Sequence, residues 1–482
     1  MRTELFIGGV WHKGHGEAFA SYDPATGDKV WNGHAASEDD VAEAMAAARL
    51  AFPGWSRRPA DERIAIVRAF AKEIEKRGDV IARTISREMG KVAWDAEGEV
   101  QAMVGKIEIS IRAQAERAGQ REEKAAFGAM TLSHHAHGVL AVFGPFNFPG
   151  HLPNGHIVPA LLAGNCVLFK PSEMTPGVAA LMAEAWEAAG LPAGVLALLQ
   201  GGRETGAALL DSHGLNGVLF TGSAHTGALI HKKFAGRPDV ILALELGGNN
   251  PLIVWPPVDA KAAANLIVHS AFATSGQRCS CARRLIVPQG AEGDAIIDAL
   301  AELVPKIAVG PATQTPEAFL GPLVNAHAAE RAVKFEQGLI AMGGTSIVPV
   351  KRDGAFVHPA IIDVTGLTPP DEELFGPVLQ VYRAPDFDHA LDLANATRFG
   401  LAGGLISDDS ALWARVKNEM RVGILNWNRP TTGASGAMPF GGPGLSGSLR
   451  PSAYYAADYV AFPVATQLAE KAAPIAAPGL PQ

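Results

Sequence analysis

Two segments of the chain carry residue types that can do carbonyl chemistry. Ser275-Gly276-Gln277-Arg278-Cys279-Ser280-Cys281 holds two of the three cysteines in 482 residues. Leu244-Glu245-Leu246-Gly247-Gly248-Asn249-Asn250 sets a carboxylate at the end of an apolar run, followed by glycines. A thiolate can attack a carbonyl carbon, and a carboxylate can activate water or a thiol. In Gly144-Pro145-Phe146-Asn147-Phe148-Pro149-Gly150 the only polar side chain is Asn147. Its amide can donate to a developing oxyanion or simply satisfy the turn.

Other turns suit a nucleotide. Lys170 and Glu173, flanking Pro171 and Ser172, can grip vicinal ribose hydroxyls, and the carboxylate would repel a 2′-phosphate, which favours NAD over NADP. The bland alternative is a helix start with an acid in its first turn. Gly222-Ser223-Ala224-His225-Thr226-Gly227 fits a strand-to-helix turn with a phosphate at the helix N-terminus. It is neither G-x-G-x-x-G nor a P-loop, and His225 reads equally as a capping or surface histidine. Glu373 and Phe375 can hold a second ribose and pack on a flat heterocycle, or only form a turn. The glycine-rich run 439–447 can approach a ligand closely or merely close the fold.

Such groups need strand ends to stand on. From residue 138 apolar runs alternate with helical ones: strands at 139–143, 166–169, 195–199, 217–220 and 240–244, and helices at 156–162, 177–189, 203–210 and 226–234. That alternation predicts an α/β chain with a parallel sheet covered on both faces, where ligands sit beyond the carboxyl ends of the strands. A second α/β stretch runs to about residue 420. Before it, 1–36 reads as short strands and turns, a Ser-x-x-acid start at Ser37 opens a helix to about 51, and helices fill 61–88 and 93–117. Glu97, Glu99 and Glu108 in the last of these read as a solvated face.

Composition narrows the class. A chain of this length exceeds one ordinary core. The net charge of −8 and the absence of a basic block argue against nucleic acid or an anionic membrane surface. No run of about 18 apolar residues predicts a membrane span, and residues 1–11 do not read as a signal peptide. Three cysteines, an odd number, suit a reducing cytoplasm better than a disulfide framework. No segment shows metal-ligand spacing around the cysteines.

The motifs Phe-Asn-Phe-Pro, Lys-Pro-Ser-Glu, Phe-Thr-Gly-Ser, Glu-Leu-Gly-Gly-Asn, Gly-Gln-Arg-Cys, Glu-Leu-Phe-Gly-Pro and Pro-Phe-Gly-Gly stand in the order and spacing of the aldehyde dehydrogenase superfamily, which the chain resembles to about residue 465. The stretches 148–156, 276–284 and 450–459 resemble more narrowly the branch that oxidises succinylated glutamate semialdehyde in arginine breakdown. The resemblance implies a Rossmann-type cofactor domain at 1–117 and 138–247, a catalytic domain at 248–447, and a small β oligomerisation element made of 118–137 with 448–482. It implies Cys279 as nucleophile, Glu245 as base, and Asn147 with the Cys279 N–H as oxyanion donors. It implies NAD held by Lys170, Ser172, Glu173, the turn from Gly222 through Ser223, Ala224, His225 and Thr226 to Gly227, and Glu373 with Phe375. A small aldehyde is the expected partner, and a homodimer or homotetramer the expected assembly. A dicarboxylate substrate calls for cations or hydroxyls in the aldehyde funnel. Location alone nominates Arg429, Thr432 and Ser435, with Arg112 or Arg450 as alternatives.

Overall fold

The structure, a computed structural model, describes residues 1–480. One seven-stranded sheet has the order Ile241–Leu246, Gly217–Gly222, Val139–Phe143, Cys166–Lys170, Leu196–Leu198, Leu5–Ile7, Val10–His12. The first five strands run parallel, and the N-terminal pair closes the far edge antiparallel. Val139–Phe143 and Cys166–Lys170 are buried at every residue, as strands covered by helices on both faces must be.

Three predicted helices differ, and the one opened at Ser37 runs past 51 as Glu38–Ser56. The pattern at 61–88 is two helices, Ala60–Lys76 and Gly78–Met89. Arg77 leaves helical geometry between them, and Gly78 is a poor helix former. The helix predicted at 156–162 starts earlier, as His151–Ala163. Pro153 is tolerated there because it lies in the first turn, whose N–H groups have no intrahelical acceptor.

The second seven-stranded sheet runs Thr345–Val348, Ala360–Asp363, Val378–Ala384, Ala282–Pro288, Asn250–Val254, Ala402–Ile406, Ile424–Trp427. Its alternate residues feed separate cores. Leu252, Val254, Leu285 and Val287 pack with helices Ala260–Phe272 and Ala291–Leu303, while Ile253 and Ile286 pack with Phe387–Asn395 and Ser410–Glu419. A separate three-stranded antiparallel sheet joins Arg121–Ala125, Gly128–Ala136 and Ala461–Leu468. Among the described residues no helix is long and apolar enough to cross a membrane.

The chain passes from the first sheet to the second within a few residues. Glu245 is the penultimate residue of the edge strand Ile241–Leu246, and Asn250 opens Asn250–Val254. Cys279 stands just before Ala282–Pro288, the parallel partner of Asn250–Val254. The carboxylate and the thiol therefore meet at the seam between the sheets.

Candidate active site

The Cys279 loop is held in an unusual backbone shape. Thr274 and Ser275 have φ of 55° and 56°, and Gly276 has φ of 73°. Left-handed geometry at a β-branched and a hydroxyl residue costs about 1–3 kcal/mol each and persists only when the surroundings over-determine it. Here they do. Thr274 Oγ1 donates to Asp95 at 2.5 Å and accepts from Arg278 Nε at 2.7 Å, and Ser275 Oγ donates to Gly321 O at 2.7 Å. A Cβ at Gly276 would stand 2.3 Å from Gly376 O, so only glycine fits. Gln277 Oε1 accepts from the Val324 N–H at 3.0 Å. Asn250 Nδ2 donates to Cys279 O at 2.7 Å and to Cys281 O at 2.8 Å, while its Oδ1 accepts from the Ala402 N–H at 3.0 Å. Arg283 is buried and donates to Gly276 O at 2.7 Å and Arg278 O at 3.0 Å.

Sequence reasoning quoted Asn250 without giving it a role and did not single out Arg283. Their signal was there in principle. A polar side chain at the mouth of a buried strand has to find partners, and the nearest orphaned carbonyls are those of the loop.

Asn147 is buried, and its Nδ2 donates to Gln277 O at 2.9 Å. One amide hydrogen is thereby fixed, which orients the other. Burial, with the Glu373 and Glu245 carboxylates nearby, pushes the Cys279 thiol up to about 12. The thiol therefore holds its proton at rest and needs a base to react. Glu245 is buried, one carboxyl oxygen accepts from the Ser452 N–H at 3.0 Å, and the other has no partner. Burial raises its pKa well above the ordinary carboxylate value. That shift suits a group exchanging protons near neutrality. The glycine-rich loop makes room for this carboxyl: a Cβ at Gly441 would lie 3.1 Å from it. Its close approaches are to Glu245, Gly400 and Gly423, so the loop's glycines serve the fold's closure, while Phe440 faces the site.

Two cavities meet at these residues. One, of about 380 Å³, runs along helices Ala93–Arg117 and His151–Ala163. The other, of about 470 Å³, opens over the ends of the first sheet's strands. Leu152, Thr221, Glu245, Cys279 and Phe440 line both. A ligand in each would share one reacting centre.

The strand-end cavity gathers Lys170, Ser172, Glu173, Gly222, Ser223, Thr226, Glu373 and Phe375. Buried Lys170 reaches the exposed Glu173 at 3.5 Å. Ser223 caps helix Ala224–Lys233, accepting from the Thr226 N–H at 3.2 Å, and leaves a helix N-terminus facing the cavity. Burial, relieved in part by Arg283 at 3.6 Å, brings Glu373 to about 7, and its Oε1 has no hydrogen-bond partner. Gly247 must be glycine, since a Cβ there would overlap the Glu373 carboxyl. The donor set fits a dinucleotide: a cation and carboxylate for hydroxyls, a helix N-terminus for phosphate, and a second carboxyl with an unsatisfied oxygen.

Some expected residues fall outside. Ala224, His225 and Gly227 do not line the cavity, and His225 is exposed. Gly227 is small for packing: a Cβ would lie 2.4 Å from Leu246 Cδ2. Thr432 and Ser435 line the helix-walled cavity, but Arg429 is exposed and lines neither. Asn428, at φ of 50°, is pinned to Ser407 by two hydrogen bonds, and that turn sends Arg429 outward. Arg112 packs over Tyr454, and Arg450 is exposed. The solvated-face reading holds for Glu97 and Glu108. It fails for Glu99, which is buried on Lys91 at 2.6 Å and accepts from the Gly150 N–H at 2.9 Å. Away from the site, His12, Asp40 and Glu43 bring ligand-type atoms within 4.8 Å of one another, but Asp40 is already bonded to Ser37 and His15.

A thiol, a carboxyl of raised pKa and an oriented amide at the junction of two clefts, on this pair of sheets, define an aldehyde-oxidising enzyme. Residues 11–461 match the aldehyde dehydrogenase family, and the chain belongs to it. As a member it works with a nicotinamide cofactor. Within the family, the chain is 56% identical over 473 residues to N-succinylglutamate 5-semialdehyde dehydrogenase 2 of Caulobacter vibrioides, covering 97% of this chain and 96% of that one. It is 52% identical over 468 residues to N-succinylglutamate 5-semialdehyde dehydrogenase of Paraburkholderia xenovorans, covering 96% of each. Among solved structures, methylmalonate-semialdehyde dehydrogenase from Oceanimonas doudoroffii superposes with a TM-score of 0.91 at 28% identity, covering 98% of each chain.

Proposed function

We propose that this protein oxidises N-succinyl-L-glutamate 5-semialdehyde to N-succinyl-L-glutamate, with NAD as hydride acceptor. The observation that carries the substrate is the near full-length identity of 52% and 56% to relatives of that name. The geometry supports the chemistry. Cys279 gives up its proton to solvent water in the open cleft as its Sγ adds to the aldehyde carbon. The oxyanion of the resulting thiohemiacetal lies against the free amide hydrogen of Asn147 and the Cys279 N–H, a pair of donors worth about 3–4 kcal/mol each in such sites. The bound cofactor supplies the hydride acceptor. The acyl group is then left as a thioester on Cys279. Glu245 takes a proton from the attacking water, and the thioester C–S bond breaks to release the carboxylate and return the thiol.

Lys170, Ser172, Glu173, Gly222, Ser223 and Thr226 hold the adenosine side of the cofactor, and Glu373 with Phe375 the nicotinamide side. Glu173, exposed at the ribose end, supports NAD over NADP by repelling a 2′-phosphate. The first sheet serves the cofactor and the second the nucleophile. The small sheet, with its Ala461–Leu468 edge free, serves assembly into a homodimer or homotetramer. The soluble aldehyde is oxidised in the cytoplasm, where the free thiols stay reduced.

The test is the rate of cofactor reduction with N-succinylglutamate semialdehyde, succinate semialdehyde and butanal. A clear kcat/KM preference for the succinylated aldehyde is expected. Equal rates on all three would overturn the substrate and leave the mechanism standing.

A further inference from the structure

The helix Ala93–Arg117 lays Asp95, Gly98, Glu99, Ala102 and Lys106 along the wall of the aldehyde funnel. Steps of three and four residues keep them on one face. Three of the five are charged, and two are answered. Asp95 takes Arg278 at 2.9 Å, and Glu99 takes Lys91 at 2.6 Å. Lys106 is not. It is 2% exposed, and its Nζ has no hydrogen-bond partner among the described residues. Facing it across the cavity wall, His151 has an unpartnered Nδ1, and burial together with the Lys106 charge keeps His151 and His156 neutral. No carboxylate lining the funnel pairs with this ammonium.

A buried cation without a partner is rare because it bears its desolvation penalty alone. It becomes useful when a ligand brings the missing anion. The ammonium has already lost its water, so an arriving carboxylate gains a charge-assisted bond at little further cost on the protein side. The other cation on the wall, Arg278, is occupied by Asp95 and Thr274. The wall also leaves room for a long substrate, since a Cβ added at Gly98 or Gly155 would meet open space.

We infer that Lys106 seats a carboxylate of the aldehyde substrate and thereby sets the preference for carboxylated semialdehydes, an assignment that builds on the dicarboxylate substrate proposed above. The flexible four-carbon stem lets the head turn into the cavity when the anion arrives. On the same funnel Ser435 keeps its hydroxyl proton for the remaining polar atoms, whereas Thr432 Oγ1 donates to His269 O at 3.0 Å.

The test compares kcat/KM for N-succinylglutamate semialdehyde, succinate semialdehyde and butanal in the wild type and in Lys106→Met. The preference for each charged aldehyde over butanal should fall by about 10- to 100-fold, mainly through KM, the range for losing one charge-assisted bond. Lys106→Arg should restore part of it. A ratio unchanged in Lys106→Met, or one that falls equally in Lys106→Arg and Lys106→Met, overturns the inference. If Lys106→Met does not accumulate as folded protein, Lys106→Gln gives the same comparison. A wild type with no preference for the succinylated aldehyde sinks the proposed substrate instead, and Lys106 is then judged on succinate semialdehyde against butanal.

Discussion

The cofactor cleft and the aldehyde funnel share five residues but are built on opposite plans. The cleft is made of strand ends and turns, and two pairs of its charges answer each other: Lys170 with Glu173, Glu373 with Arg283. The funnel is made of helix faces, and it keeps one cation, Lys106, without an answer. A site for a ligand common to a whole family can be self-consistent when empty. A site that picks one substrate among many gains by leaving a charge for that substrate to meet.

That contrast can be broken by experiment, beginning at the shared centre. Cys279→Ala should lower kcat by at least about ten-thousandfold, while cofactor affinity, read by fluorescence quenching, changes far less. Loss of both together would merge the two clefts into one functional unit. Glu245→Gln should slow the steady state by about a thousandfold yet leave a first-turnover burst of reduced cofactor, because the acyl-enzyme forms and then waits for water. If the burst slows equally, Glu245 acts on the thiol instead.

The third measurement probes the unanswered charge itself. Burial lowers Lys106 to about 8 from 10.5. The folded chain then binds fewer protons than the unfolded one between those values, and its stability rises with pH across that window. Lys106→Met removes the effect. At pH 7 the variant should be more stable than wild type by about 3 kcal/mol, an advantage that fades by pH 10.5. Denaturant titrations at the two pH values check it, and equal stability at pH 7 would mean the ammonium finds a partner without substrate. Glu173→Gln, on the balanced side, should narrow the kcat/KM preference for NAD over NADP by about tenfold, with global stability within about 0.5 kcal/mol. An unchanged cofactor ratio would remove Glu173 from that role.

The same contrast explains what could be read from the chain in advance. Strand ends announce themselves, because an apolar run that stops at a glycine, proline or charge marks both the element and the ligand side. Lys170, Glu173, Ser223, Glu245 and Asn147, which the structure places at the two cavities, were nominated in this way, and Cys279 by the scarcity of cysteine. Helix faces hide their function. Lys106 lies one turn on from buried Met103, but the sequence does not say that its head group is left without a partner until the second helix packs against it. Glu99 was misjudged for the same reason. Arg429 failed because its direction depends on a left-handed turn at Asn428 tied to Ser407, a contact beyond the ends of two neighbouring strands that no local pattern announces. Gly227 matched a phosphate-turn pattern but answers to Leu246, a neighbour only in three dimensions.

The Cys279 perch also has a history within each molecule. Its strained turn is braced by Asp95 from an early helix, Gly321 and Val324 from beyond the nucleophile, and Gly376 later still. Asp95 is already made when the ribosome delivers the chain through Cys279, but Gly321, Val324 and Gly376 are not. The loop around Cys279 therefore takes its full set of braces only when later segments fold back onto it. The shape of the loop that carries Cys279 is thus completed by chain made well after it.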